Sequence, residues 1–279
     1  MITAQQVKEL RDRTGISMMD CKDALSEADG DIEKAIEILR KKSIIKAEKK
    51  STRATNEGAI VAGGGSSNYF LIEVNTETDF AANDQEFKKF LTELKEFCES
   101  NKLNDLEDLH KKFNDKTLEI IQKIGENIKI SYFEKITSEN DSVYIYVHSD
   151  NKLASLVHLE KNDDELGKDI AMQVSANAPL AIYPAEIDQQ ILDKEKEIAL
   201  ATIENEKKPD EIKEKIVMGK LKKFKDENSL TEQAFIKNPD SKIKDLLSDN
   251  KILGFLRKKV GEWAPKYIKG YFLNIAVKQ

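Results

Sequence analysis

The chain has 279 residues, of which 39% are hydrophobic and 34% charged; 45 Lys plus Arg face 51 Asp plus Glu, giving a formal net charge of -6 and a pI near 5.4. That length suits several small modules better than one thick core, and the acidic balance gives no global attraction to nucleic acid or to anionic membranes. Two cysteines, Cys21 and Cys98, both within helical patterns, argue against a disulfide framework; no apolar run approaches the roughly 20 residues of a membrane span and Met1-Ile2-Thr3-Ala4 opens no signal peptide, so a cytoplasmic protein is expected.

The first helix is predicted to begin at Thr3, which forms a capping box with Gln6, and to stop at Thr14-Gly15, with Val7 and Leu10 as its apolar edge. Ser17 caps a second helix that has Asp20 at its third position and Cys21, Ala24, Leu25 and Ala28 along one face. After the turn at Asp29-Gly30, Asp31 caps a third, in which Ile32, Ala35, Ile36 and Leu39 follow helical spacing. Three short helices make a compact bundle that resembles ubiquitin-associated domains, with residues 15–19 as its partner-binding loop. Met18 and Met19 are adjacent and cannot both face inward, so at least one is expected as a soft, adaptable contact. Residues 46–53 are charged and read as a helix tail entering a linker, with a basic patch as the alternative; the first module ends at residue 54.

Residues 58–62 and 69–74 are predicted strands joined by a turn through Gly63-Gly64-Gly65-Ser66-Ser67-Asn68. The glycines are no phosphate loop, because no Gly-Lys followed by Ser or Thr occurs there. Asp84 is expected to cap a helix in which Phe87, Phe90, Leu91 and Leu94 repeat at i, i+3, i+4 and i+7. Between strand and helix lies a polar corner holding one large aromatic, Phe80, beside Asp79 and two alanines. Two readings stay open: Phe80 folds back onto the core while Asp79 caps the turn, or the aromatic is an exposed binding anchor presented by a rigid scaffold.

Further along, residues 106–109 and 117–124 read as helical, and residues 125–133, opening with Gly125 as a helix stop, turn the chain into a strand. Residues 143–148 and 153–159 form a second predicted hairpin, followed by a helix over 164–176 and a short strand over 179–183. A strand pair followed by a helix occurs twice, which suggests two related α+β subdomains. From residue 185 the chain is highly charged around a thin apolar seam of Ile187, Ile191, Ile198, Ala201 and Ile203, then Ile212, Ile216, Met218 and Leu221, broken at Lys207-Lys208-Pro209. A projecting helical hairpin is expected, its outer side either paired with a second copy or solvated. Residues 230–236 read as a loop or edge strand, 242–248 as a short helix, and 254–260 as a strand rejoining the second sheet; Trp263, Tyr267 and Tyr271 fall at helical spacing.

No chemical site stands out. His110, His148 and His158 have no zinc spacing with each other or with the cysteines, no Gly-x-Ser-x-Gly elbow appears, and no carboxylate pair is singled out as acid and base. Neither a cofactor nor a metal is expected.

Two long motifs then carry a resemblance. Residues 10–25, Leu-Arg-Asp-Arg-Thr-Gly-Ile-Ser-Met-Met-Asp-Cys-Lys-Asp-Ala-Leu, and residues 73–80, Glu-Val-Asn-Thr-Glu-Thr-Asp-Phe, are similar to the signatures of the bacterial elongation factor Ts family, with Ala81 where valine is usual. Ile124-Gly125-Glu126-Asn127-Ile128, Ile170-Ala171-Met172-Gln173-Val174 and the proline-broken hairpin fit as well, while the C-terminal aromatic segment departs from the family's Ala-rich tail. The resemblance covers nearly the whole chain. It implies an α+β protein: a three-helix bundle with linker at 1–54, core subdomains at 55–140 and at 141–184 with 227–262, a hairpin (coiled coil) at 185–226 and a C-terminal helical module at 263–279. It further implies a guanine nucleotide exchange factor, with no chemical active site, that binds elongation factor Tu in its GDP form. Asp79 and Phe80 would intrude near the partner's magnesium and phosphate contacts, and Arg11, Met18, Met19 and Lys22 would grip its GTPase domain. Ile124, Gly125 and Glu126 would lie beside the wedge, and His148 would meet the partner's other domains. A second class stays open, a non-catalytic scaffold that recruits partners or dimerises, with a homodimer or 2:2 complex formed through the hairpin.

Overall fold

The computed structural model describes residues 2–65, 67–138, 142–203, 209–262 and 266–268. The chain forms two compact units: Met1–Gly64, Phe70–Lys135 and Asp150–Lys152 make the first, and Gly65–Tyr69, Ile136–Ser149 and Leu153–Gln279 the second.

The first unit opens with three helices, α1 (Ala4–Thr14), α2 (Met18–Glu27) and α3 (Ile32–Lys50). Their starts follow the local sequence closely. Thr3 and Gln6 close the capping box, the Ser17 hydroxyl accepts the Asp20 N–H at 3.2 Å, and Asp31 accepts the N–H groups of Glu33 and Lys34. Each such cap is worth about 1 kcal/mol. Leu10, Cys21, Ala24, Leu25, Ala35 and Leu39 are buried together in the bundle core. Helix α3 is long enough to serve two cores, since Ala47 belongs to the next cluster. Its middle is tied to a later helix by an Arg40–Asp115 ion pair and a Ser43–Gln122 hydrogen bond.

A three-stranded sheet of order β1-β2-β3 follows, made from β1 (Glu57–Gly65), β2 (Asn68–Thr76) and β3 (Lys129–Thr137). The glycine run expected as a turn is therefore largely strand. Adding a side chain at Gly63 would press on the Phe70 ring at 2.8 Å, so this glycine is a packing requirement rather than a turn signal. The short α4 (Asp79–Asn83) leads into α5 (Gln85–Ser100) and α6 (Leu106–Ile124), which cover one face of the sheet. Phe87, Phe90 and Leu94 of α5 meet Leu109, Phe113, Ile120 and Ile121 of α6, with the Phe90 and Phe113 rings 5.5 Å apart. Helix α6 runs unbroken through the stretch that separates its two predicted halves. Burial of Phe113 in the middle outweighs the weak helix propensity of Asn114-Asp115.

In the second unit an antiparallel sheet has the order β4-β5-β8-β9, with β4 (Val143–Val147) and β5 (Leu153–Leu159) as a hairpin, β8 (Ile252–Lys259) beside β5, placing Leu156 opposite Leu256, and β9 (Lys266–Ile268) at the edge. Helix α7 (Asp164–Asn177) lies on β4 and β5 so closely that a Cβ at Gly167 would sit 2.1 Å from the Tyr144 ring; only glycine lets the helix approach. The expected strand over 179–183 is a bend with a single bridge, Ala181 to Ser229, although Ala181 and Ile182 are buried as an apolar strand would be. A small two-stranded sheet of β6 (Ala234–Phe235) and β7 (Asn238–Lys242) and the short α10 (Ile243–Leu246) precede β8. The end of the chain differs from its expected helix: Lys266–Ile268 form a strand, β9, with Tyr267 opposite Leu256, while Trp263 and Tyr271 lie outside the described residues.

The helical hairpin is α8 (Gln189–Ile203) and α9 (Asp210–Asn228). Its seam keeps the expected Ile203, Ile216 and Leu221 but is shifted by one residue elsewhere, from 191/198 to 192/199 and from 218 to 217. Leu192, Ala199, Ile203 and Val217 are buried, with Ile216 and Leu221 partly so, whereas Ile191, Ile198, Ile212 and Met218 are exposed. Stripes 191/198 and 192/199 share the same seven-residue spacing, so periodicity alone does not choose between them. Among the described residues no helix is long and apolar enough to cross a membrane.

Candidate functional site

The corner after β2 is built upward from Thr78. Its side-chain oxygen accepts the Ala81 N–H at 3.2 Å and caps α4, so Thr78 rather than Asp79 is the capping residue. A five-residue helix has no stability of its own, and Ala81, buried at 4% exposure, anchors this one to the core. With Ala81 turned inward, Asp79 and Phe80 turn outward, and Phe80 stands 84% exposed. The corner is stiffened by a hydrogen bond from the Thr76 hydroxyl to the Thr78 carbonyl at 2.8 Å and another from Asn83 Nδ2 to the Asp79 carbonyl at 2.9 Å.

The segment after α6 closes on the same corner. Gly125 ends α6 in the left-handed region, with φ of 83°, and Glu126 sends both carboxylate oxygens to Thr78, one accepting its N–H at 3.0 Å and the other its hydroxyl at 2.6 Å. In return the Glu77 carboxylate accepts the Asn127 N–H at 2.6 Å. The end of α3 joins them: Lys50 donates to the Gly125 carbonyl at 2.6 Å, and Asn127 Nδ2 donates to the Arg53 carbonyl at 3.0 Å. Burial pulls the Lys50 ammonium below its usual range, against the opposing pull of Glu77 and Glu126. Ile124 packs half-buried against the core beneath.

Met18 and Met19 open α2 and are 48% and 66% exposed, so both are surface residues, where at least one is expected. Arg11 and Lys22 are exposed on α1 and α2. The start of α2 is held to α3 by Asp20, whose carboxylate takes the Lys46 ammonium at 2.7 Å; that hydrogen bond lowers the carboxyl pKa. The first unit thus brings together Asp79, Phe80, Ile124, Gly125 and Glu126, and ties the bundle with Arg11, Met18, Met19 and Lys22 to them through α3. His148 belongs to the second unit, exposed at the end of β4, its Nδ1 3.1 Å from the Tyr146 hydroxyl. Sequence reasoning missed Lys50, Glu77, Thr78 and Asn127; three of them lie inside the motifs already singled out, but their partners are distant in the chain.

Among the described residues no group of His, Cys, Asp and Glu is arranged to hold a metal ion. Both thiols are buried; burial pushes Cys98 up to about 12 and raises Cys21 as well.

Fold and site together define a modular α+β protein that displays apolar side chains outward from well-capped helix starts. The comparisons narrow that class. The family model described as Elongation factor TS matches residues 77–262. Among relatives, elongation factor Ts of Marinobacter nauticus is 44% identical over 95% of this chain and 93% of its own length, that of Psychromonas ingrahamii 42% identical over 99% and 96%, and that of Nitratiruptor sp. 40% identical over 99% of each. The chain belongs to the elongation factor Ts family, and its role is that of a translation elongation factor.

Proposed function

We propose that this protein is a guanine nucleotide exchange factor for elongation factor Tu, acting on the GDP-bound GTPase without a chemical active site or a cofactor of its own. The observation that carries the reading is Phe80, held almost fully exposed on an anchored helix within the family's second signature. An apolar ring displayed in this way at the cost of its hydration has its use on a partner. Asp79 and Phe80 enter near the partner's magnesium and phosphate contacts and disturb those that hold GDP. Arg11, Met18, Met19 and Lys22 grip the GTPase domain, Ile124, Gly125 and Glu126 border the wedge, and His148 meets the partner's other domains.

The energetics demand several footholds. Exchange factor and nucleotide weaken each other's binding reciprocally, and each tenfold loss of GDP affinity needs about 1.4 kcal/mol of differential contact. Burying one Phe contributes roughly 1.5–3 kcal/mol, so Phe80 alone supplies one or two tenfold steps.

The test is release of labelled GDP from purified elongation factor Tu by wild type and by Phe80→Ala. Binding without acceleration by the wild type sinks the exchange reading; undiminished exchange by Phe80→Ala sinks the wedge alone. The second reading, a scaffold that dimerises through the hairpin alone or in a 2:2 complex, is favoured by the exposed Ile191, Ile198 and Met218. The mass of the complex with and without residues 185–226 decides it.

A further inference from the structure

We infer that Glu77 and Glu126 are positioning residues, a reciprocal clasp that holds Phe80 outward in fixed relation to the Met18-Met19 foothold and so sets the maximal rate of GDP release. The inference rests on the exchange reading above and assigns these two carboxylates to the inside of the protein rather than to contact with the partner.

The geometry is reciprocal in a specific sense. Residue 126 gives its side chain to the backbone of 78, and residue 77 gives its side chain to the backbone of 127. Both oxygens of Glu126 are already engaged by Thr78, and the Glu77 side chain is only 20% exposed, with Arg53 beside it at 3.3 Å. Both carboxylates are thus committed to contacts within the protein. What they do instead is orient the cap. The Thr78 hydroxyl donates to Glu126 while accepting the Ala81 N–H, so the direction of α4, and with it of Phe80, is set by a residue 48 positions further on. The same corner receives Lys50 from the end of α3 and Arg53 from the turn after it, and one turn earlier on α3 Lys46 holds Asp20 at the start of α2. Three charge-assisted contacts, Asp20 with Lys46, Lys50 with the Gly125 carbonyl and Glu126 with Thr78, joined by one turn of α3 and by the chain at 125–126, therefore link the start of α2 to the cap of α4. Hydrogen bonds to charged groups are stronger than neutral ones, and they hold the cap of a five-residue helix in one orientation.

A wedge works only in the orientation that meets its target, whereas the bundle's grip does not depend on the wedge. Loosening the clasp should therefore reduce the rate reached at saturation and leave the half-saturating concentration in place. Full-length Thr78→Val, Glu126→Ala and Glu77→Ala are compared with wild type in GDP release from elongation factor Tu across a range of exchange-factor concentrations. The maximal rate is expected to fall about tenfold, corresponding to the loss of about 1.4 kcal/mol, with the half-saturating concentration changed less than about twofold. Thr78→Ser, which keeps the hydroxyl, is expected to restore the wild-type rate.

Amide hydrogen exchange on the free protein supplies a readout independent of GDP release. Thr78, Ala81 and Asn127 should lose protection in Glu126→Ala and Glu77→Ala, while the amides of α5 and α6 keep theirs, which also shows that the variants are folded. Unchanged protection at those three amides overturns the clasp, whatever the exchange assay gives. A raised half-saturating concentration at unchanged maximal rate also overturns it, because that is the mark of a lost partner contact. If wild type itself does not accelerate release, the exchange reading fails and the rate role assigned here fails with it, while the amide protection still reports whether the clasp exists.

Discussion

The corner at Phe80 and the helical hairpin of α8 and α9 both expose large apolar side chains, yet they do so for different reasons. At the corner one ring stands out from a framework tied by specific contacts: Thr78 bonds Glu126 and Ala81, Glu77 bonds Asn127, and Ala81 is sunk in the core. On the hairpin Ile191, Ile198, Ile212 and Met218 are exposed because two helices share a narrow seam and, among the described residues, nothing covers their outer sides. Exposure alone does not identify a functional residue. The fixing of its direction by contacts distant in sequence does.

The comparison is most sharply tested by function. Phe80→Ala is expected to lower the maximal rate of GDP release from elongation factor Tu by tenfold or more, and Met218→Ala by less than about twofold, with both proteins melting close to wild type because surface truncations cost within about 0.5 kcal/mol. Equal losses from the two variants would erase the distinction between corner and hairpin.

A large but purely structural effect follows from the seam. Ile203→Ala should destabilise the hairpin by about 2–4 kcal/mol, while Ile198→Ala changes it by less than about 0.5 kcal/mol. Hydrogen exchange of the α8 and α9 amides measures both, and the reverse ranking would put Ile198 rather than Ile203 in the seam. Smaller again is Gly125→Ala, which forces a Cβ into the left-handed region at the end of α6 and is expected to cost about 1 kcal/mol in urea unfolding. Because nothing crowds a Cβ there, a much larger cost would mean that the corner is strained elsewhere.

The least effect is a control away from both regions. Burial lowers the pKa of His158, so the unfolded chain binds a proton more readily than the folded one. Stability is then full above the unfolded value of about 6.5 and is lost as pH falls below it. The urea midpoint should drop more steeply toward acid for wild type than for His158→Gln.

Much of this architecture was legible residue by residue. The caps at Thr3, Ser17, Asp31 and Asp84, and the stops at Gly15 and Gly125, are visible in the sequence because a cap is a contact across three or four residues and its whole cause lies in the local sequence. The strands β5 and β8 were likewise recognisable as members of one sheet. Errors arose where packing outvoted local preference: the glycines drawn into β1, the unbroken α6 around Phe113, the bend at 179–183, and the strand β9 in place of a helix. The hairpin shows a third case, in which two stripes fit the same period and only the partner helix selects one.

Phe80 lies at the boundary between these cases. The sequence by itself determined that an aromatic stands between a strand and a capped helix, because alternation, capping and small flanking residues are all local. Whether that ring faces the core or the solvent was decided by tertiary structure. Ala81 takes the inward position, and Glu126, brought to Thr78 across 48 residues, holds the cap that sets the direction. A contact of that separation depends on how α6 packs against the sheet, and no local pattern around residue 80 encodes it.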